Sequence, residues 1–119
     1  MLMTREGEPA NVLRTIADSV QSLSTATFSK PNYLEIIASG VNKAKGLADL
    51  IKTLGLDLSQ VAALGDGEND VEMLKETGLG IAMGNASEPV KLAADWLTGT
   101  NDEGGVAQAI RRLIADGLV

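Results

Sequence analysis

The chain has 119 residues, 45% hydrophobic and 22% charged, the balance of one ordinary globular domain that removes roughly 65% of its unfolded surface from water. It contains no cysteine and no histidine, which excludes disulfide scaffolds, zinc fingers, thiol nucleophiles, Ser-His-Asp triads and histidine metal sites. Ten basic against sixteen acidic residues give a net charge of −6, with a single Phe, Tyr and Trp, so neither the field nor the stacking rings that nucleic acid requires are present. No apolar run approaches the ~20 residues of a membrane span, and no basic-then-apolar leader follows Met1. A cytoplasmic protein with neither nucleic acid nor membrane as partner is expected.

In chain order, residues 1–4 are apolar enough for a short strand, and residues 5–9 form a polar turn. From Asn11, the positions Val12, Leu13, Ile16, Val20 and Leu23 predict one helical face. Two strand-forming runs follow, Thr25–Ser29 and Tyr33–Ala38, joined through Lys30-Pro31-Asn32, so the opening reads βαββ. After Gly40 the rhythm changes. Leu47, Leu50, Ile51 and Leu54 predict a helix capped by Gly55. Val61–Leu64 has the continuous apolar character of a strand buried on both faces of a parallel sheet. A helix over Asp70–Glu76, a strand over Leu79–Met83, a helix capped by Ser87 with Pro89 in its first turn, and a strand over Asp95–Thr98 come next. Val106, Ile110, Leu113 and Ile114 predict a closing helix that ends at Gly117. Strictly alternating elements from residue 43 onward imply an α/β fold with a parallel sheet.

Chemistry concentrates in Gly65-Asp66-Gly67-Glu68-Asn69-Asp70, directly after a buried strand and leading into a helix. Ligands of open α/β sheets bind beyond the carboxyl ends of strands, which is where this segment falls. Asp66 and Asp70 offer hard oxygens suited to Mg²⁺, and the same residues also suit a solvated acidic turn at a helix start. An EF-hand register fails, because Val71 and Thr77 stand where glycine and a bidentate glutamate are needed. Gly78-x-Gly80-x-x-x-Gly84 is no dinucleotide fingerprint, since these glycines surround a strand rather than follow one. Gly84 and Asn85 read as a turn on the same rim as Asp66, and Asn101 and Asp102 as a later loop on that rim. Lys43 and Lys45 precede the helical stripe, where either an ammonium aimed at a phosphate or an ordinary surface lysine fits.

Taken together, Val41-Asn42-Lys43-Ala44-Lys45-Gly46-Leu47, Leu64 to Leu74, and Gly80-Ile81-Ala82-Met83-Gly84-Asn85-Ala86 resemble the C-terminal portion of the Cof-type haloacid dehalogenase-like phosphatases. Lys91-x-x-Ala94-Asp95 and Thr98-x-x-Asn101-Asp102-Glu103-Gly104-Gly105 continue the resemblance in the family's order, over roughly residues 33–115. It implies that Asp66 binds Mg²⁺, that Asp70 is a supporting carboxylate at the metal and catalytic site, and that Asn69 contacts phosphate or the metal shell. Lys43 takes the role of the lysine that neutralises nucleophile and transferring phosphoryl group, with Lys45 as the alternative because Ala44-Lys45 departs from the usual continuation. The implied fold is the C-terminal half of a Rossmann-like sheet over residues 40–119, with a βαββ remnant of the cap domain over residues 1–39.

The family's aspartate nucleophile lies in an Asp-x-Asp motif, and no Asp-x-Asp occurs in this sequence. The chain therefore resembles the back part of a longer enzyme that begins inside the cap. Its expected function is Mg²⁺-dependent hydrolysis of a small phosphorylated metabolite, with this chain supplying the metal aspartate and the phosphate lysine. A catalytically silent binding or assembly module is the alternative. A missing nucleophile strand leaves one edge of the Val61–Leu64 strand open, which invites self-association or pairing with an N-terminal segment of this family.

Overall fold

The computed structural model describes residues 2–3, 11–30 and 32–119, so the turn expected at residues 5–9 and Pro31 lie outside the described residues. The chain divides into two compact units, Met1–Asn42 and Lys43–Val119.

The first unit contains β1 (Leu2–Met3), α1 (Asn11–Val20), β2 (Ser24–Lys30) and β3 (Tyr33–Ala38). Its antiparallel sheet has the order β1-β3-β2. Ala26 lies opposite Ile36 and Phe28 opposite Leu34, so the two-residue period of the strands brings these four to one face. Against them α1 buries Leu13 and Ala17, with Ile16 packed alongside. The apolar face expected of α1 is narrower than its composition suggests. Val12 is turned some 100° away from Leu13 and is exposed. Leu23 is 81% exposed, because the helix ends at Val20 and a turn follows, with the Leu23 N–H donating to the Val20 carbonyl at 3.0 Å.

The second unit alternates α2 (Lys43–Thr53), β4 (Ala62–Gly65), α3 (Val71–Glu76), β5 (Leu79–Ala82), α4 (Glu88–Ala93), β6 (Trp96–Leu97) and α5 (Gly105–Ala115). The strands form a parallel sheet in the order β4-β5-β6, which is the α/β architecture that the alternation predicts. Gly55, at φ 71°, ends α2 as expected. The Leu56 N–H reaches the Ile51 carbonyl and the Gly55 N–H the Lys52 carbonyl, a Schellman pattern that needs a left-handed residue. At α4, Ser87 stands at the N-cap but makes no side-chain cap bond.

Helices cover both faces of this sheet. Ala63 and Ala82 pack with Leu74 of α3, Ala86 of the turn before α4 and Val90 of α4, while Ile81 packs with Ala109 and Leu113 of α5 on the other face. Small residues allow close approach. A Cβ on Gly80 would stand 2.3 Å from the Leu74 carbonyl oxygen, which gives Gly80 a packing reason unrelated to nucleotide binding. Its backbone is also held by Asp95, whose carboxylate accepts the Gly80 N–H at 2.8 Å.

Two expected stripes are corrected by the packing. In α2 the buried positions are Ala44 and Ile51, with Leu50 and Leu54 exposed. In α5 they are Gly105, Ala109 and Leu113, one turn apart on the seam, whereas Val106, Ile110 and Ile114 face solvent. Among the described residues no helix is long and apolar enough to cross a membrane.

Candidate functional site

The chain leaves the carboxyl end of β4 at Gly65, makes a single 3₁₀ turn over Glu68–Asp70, and enters α3. Asp70 organises this loop. It is only 4% exposed, and its Oδ2 accepts the backbone N–H groups of Asp66 and Gly67, each at 3.1 Å. Its Oδ1 receives the ammonium of Lys43 at 2.5 Å. A carboxylate that satisfies two loop amides and one cation holds the loop closed over its own side chain. This closure leaves no room at Gly65, where a Cβ would meet the Asp70 Cβ at 2.5 Å.

Lys43 is the first residue of α2, and its side chain is half exposed although its ammonium is bound to Asp70. Lys45 is exposed on the same helix. Lys43, Gly65, Asp66 and Asp70 line an open cavity of about 470 Å³ whose walls include Leu64, Met73, Met83 and Val106. Asp66 is exposed at this rim, in contrast to the buried Asp70. Asn69 is half-buried, and its Oδ1 folds back to within 2.7 Å of where a Cβ on Gly67 would stand.

Two further loops complete the rim, at the positions where the sequence places the Gly84-Asn85 turn and the Asn101-Asp102 loop. The Asn85 Nδ2 donates to the Asp66 Oδ2 at 3.4 Å, and the Asn85 Oδ1 accepts the Asn101 N–H at 2.9 Å. Asn101 thus joins the rim through its main chain, while Asp102 is exposed beside it. The last loop is braced by Glu103, whose Oε2 accepts both the N–H and the hydroxyl of Thr100 at 2.9 Å. Those two bonds, the backbone one foremost, lower the Glu103 carboxyl below its ordinary value. Thr100-x-x-Glu103 is a capping-box spacing just ahead of α5 and was readable in the sequence. No comparable local pattern marks Asn85, whose partners lie 19 and 16 residues away.

A cation at this rim would find hard oxygens and little else. Among the described residues no cluster of three or more acidic, histidine or cysteine side chains exists. Few carboxylates completed by water suit Mg²⁺ rather than Zn²⁺ or Ca²⁺. Asp66 fits, being exposed with most of its lone pairs directed at solvent. Asp70 already serves three donors, so it has about one lone-pair site left of its four.

A profile of haloacid dehalogenase-like hydrolases matches residues 1–110. The chain is 50% identical over 88 residues to the 5-amino-6-(5-phospho-D-ribitylamino)uracil phosphatase YcsE of Bacillus subtilis, covering 74% of this chain and 35% of that protein. A haloacid dehalogenase-like hydrolase from B. subtilis superposes with a TM-score of 0.84 at 34% identity, over 93% of this chain and 39% of the other. The subclass IIB sugar phosphatase BT4131 superposes at 0.80 with 31% identity, over 92% of this chain and 40% of the other. The chain therefore spans about two fifths or less of the length of these relatives. With its motif loop at the carboxyl end of a parallel strand and these likenesses along nearly its whole length, the chain belongs to the haloacid dehalogenase-like hydrolases, and its sequence and fold are similar to those of the Cof-type, subclass IIB phosphatases among them.

Proposed function

We propose that this chain carries the metal- and phosphate-handling part of a Mg²⁺-dependent phosphomonoester hydrolase acting in the cytoplasm on a small phosphorylated metabolite. One observation carries the reading: the Lys43 ammonium, anchored on buried Asp70, shares a cavity with the exposed carboxylate of Asp66. An ammonium has three donors, so Lys43 keeps its bond to Asp70 while directing another proton at a phosphate oxygen. Asp70 orients that lysine and holds the loop that presents Asp66, with its remaining lone pair available to the metal shell. Asn69, in the same turn, supplies an amide to the phosphate. Asp66 is the principal ligand for Mg²⁺, which when bound neutralises charge on the phosphoryl oxygens. The substrates named for the relatives, a phosphorylated ribityl compound and sugar phosphates, favour a phosphorylated sugar or sugar alcohol here.

Positioning and charge neutralisation still require an attacking oxygen, and the sequence holds no Asp-x-Asp. In this reading the nucleophile comes from an N-terminal segment of the same family paired along the open edge of β4, with residues 1–39 as the end of a cap and residues 40–119 as half of the core. In support, β4 pairs among the described residues with β5 alone, and α5 turns Val106, Ile110 and Ile114 to solvent. Mixing the chain with a separately expressed N-terminal segment of a relative should yield Mg²⁺-dependent hydrolysis of p-nitrophenyl phosphate that disappears with Asp66→Asn. Hydrolysis by the 119-residue chain alone, unaffected by that substitution, would overturn the assignment.

The absence of Asp-x-Asp also favours a second reading, a silent assembly module that associates with itself through the same edge. It predicts concentration-dependent dimers in sedimentation and no hydrolysis in any mixture.

A further inference from the structure

We propose that Asn85 is a positioning residue for Asp66, a role that rests on Asp66 being the principal metal ligand. The orientation of the Asn85 amide follows from its two neighbours. A backbone N–H can only donate, so the oxygen of Asn85 faces Asn101, and a carboxylate can only accept, so the NH₂ faces Asp66. Both ends agree on one amide orientation. The side chain is therefore a strut between the loop after β6 and the loop after β4, and one end of it occupies a lone pair of Asp66 Oδ2.

The strut stands on a rigid base. The Gly84 N–H donates to the Gly99 carbonyl at 3.0 Å, and a Cβ on Gly84 would stand 3.0 Å from the Thr100 nitrogen, so these loops pack backbone against backbone. Ala86, directly after Asn85, is buried in the core with Leu74 and Val90. Thr100 and Glu103 brace the far side. Asp66, by contrast, is exposed, and Asn85 is its side-chain partner from outside its own loop. An exposed carboxylate free to change rotamers loses entropy when it is fixed on a cation, and a side chain held beforehand loses less.

The test is Mg²⁺ titration of the 119-residue chain followed by backbone and side-chain ¹⁵N chemical shifts. Asn85→Ala should weaken Mg²⁺ binding three- to tenfold, with the amide shifts of Ala63, Leu74 and Val90 unchanged. Asp66→Ala should abolish binding and move the Asn85 side-chain amide resonances in the metal-free chain. Asp102→Ala, which removes a neighbouring charge without touching the strut, should leave the affinity unchanged. If wild type and Asp66→Ala respond alike to Mg²⁺, Asp66 is no ligand, and the functional reading falls together with this one. If those two differ but Asn85→Ala matches wild type, or Asp102→Ala weakens binding as much as Asn85→Ala, the positioning role alone is overturned.

Discussion

Two aspartates four residues apart in one loop stand in opposite situations. Asp70 forms the floor of the cavity, nearly buried, with three donors on its two oxygens. Asp66 sits at the rim, exposed, and among the described residues its carboxylate meets one long bond from Asn85. Burial with three donors to satisfy makes a carboxylate structural, because removing it strands its partners in a low-dielectric setting. Exposure with open lone pairs leaves a carboxylate available to a ligand at little cost to folding. The same residue type thus builds the loop at one position and is presented by it at the other.

The widest separation between floor and rim should appear on deleting each carboxylate. Asp70→Ala leaves two loop N–H groups and a lysine without their acceptor and should destabilise the chain by about 3 kcal/mol in urea unfolding. Asp66→Ala should stay within about 0.5 kcal/mol of wild type in the same measurement. Equal losses would erase the distinction. Crowding the floor is the next strongest perturbation. Gly65→Ala drives a methyl group into the Asp70 side chain and should cost about 2 kcal/mol, and a crystal structure of the variant should show the Asp66 and Gly67 amides drawn away from Asp70.

Removing the cation instead of the anion should do less. Lys43→Met keeps the apolar stem and leaves Asp70 with its two amide donors, so the expected loss is about 1 kcal/mol because the lysine side chain is half exposed. A loss as large as that from Asp70→Ala would make the ion pair, and not the two amide bonds, the main support of the floor. The smallest effect belongs to the outer brace. The Glu103 carboxyl is held below its ordinary value of 4.5 by Thr100, so the ionised form favours the folded loop. Its contribution is complete above that ordinary value and is lost as pH falls through the lowered value in the folded chain. A ¹³C titration should place the Glu103 midpoint below 4.5 and return it upward in Thr100→Ala. An unchanged midpoint in that variant would remove Thr100 as the cause.

Much of this was open to a reading of the linear chain, for local reasons. The alternation of apolar runs and helical stripes defined an α/β unit after residue 43, Gly55 announced a left-handed cap, and a run of strand-forming residues identified Tyr33–Ala38 to the residue. The Gly65–Asp70 motif pointed to the candidate site, since hard oxygens beyond a buried strand are a short-range pattern. Tertiary structure decided which apolar residues are core. Val106, Ile110 and Ile114 looked like the seam of α5, yet the buried positions are Gly105, Ala109 and Leu113, because Gly105 lies against the Gly99 backbone with no room for a side chain and this sets Ala109 and Leu113 over Ile81. It also distinguished two aspartates that the motif presents as equals. Lys43 meets Asp70 across 27 residues and Asn85 meets Asp66 across 19, and no periodicity records a contact formed only when separate loops converge at one end of a sheet.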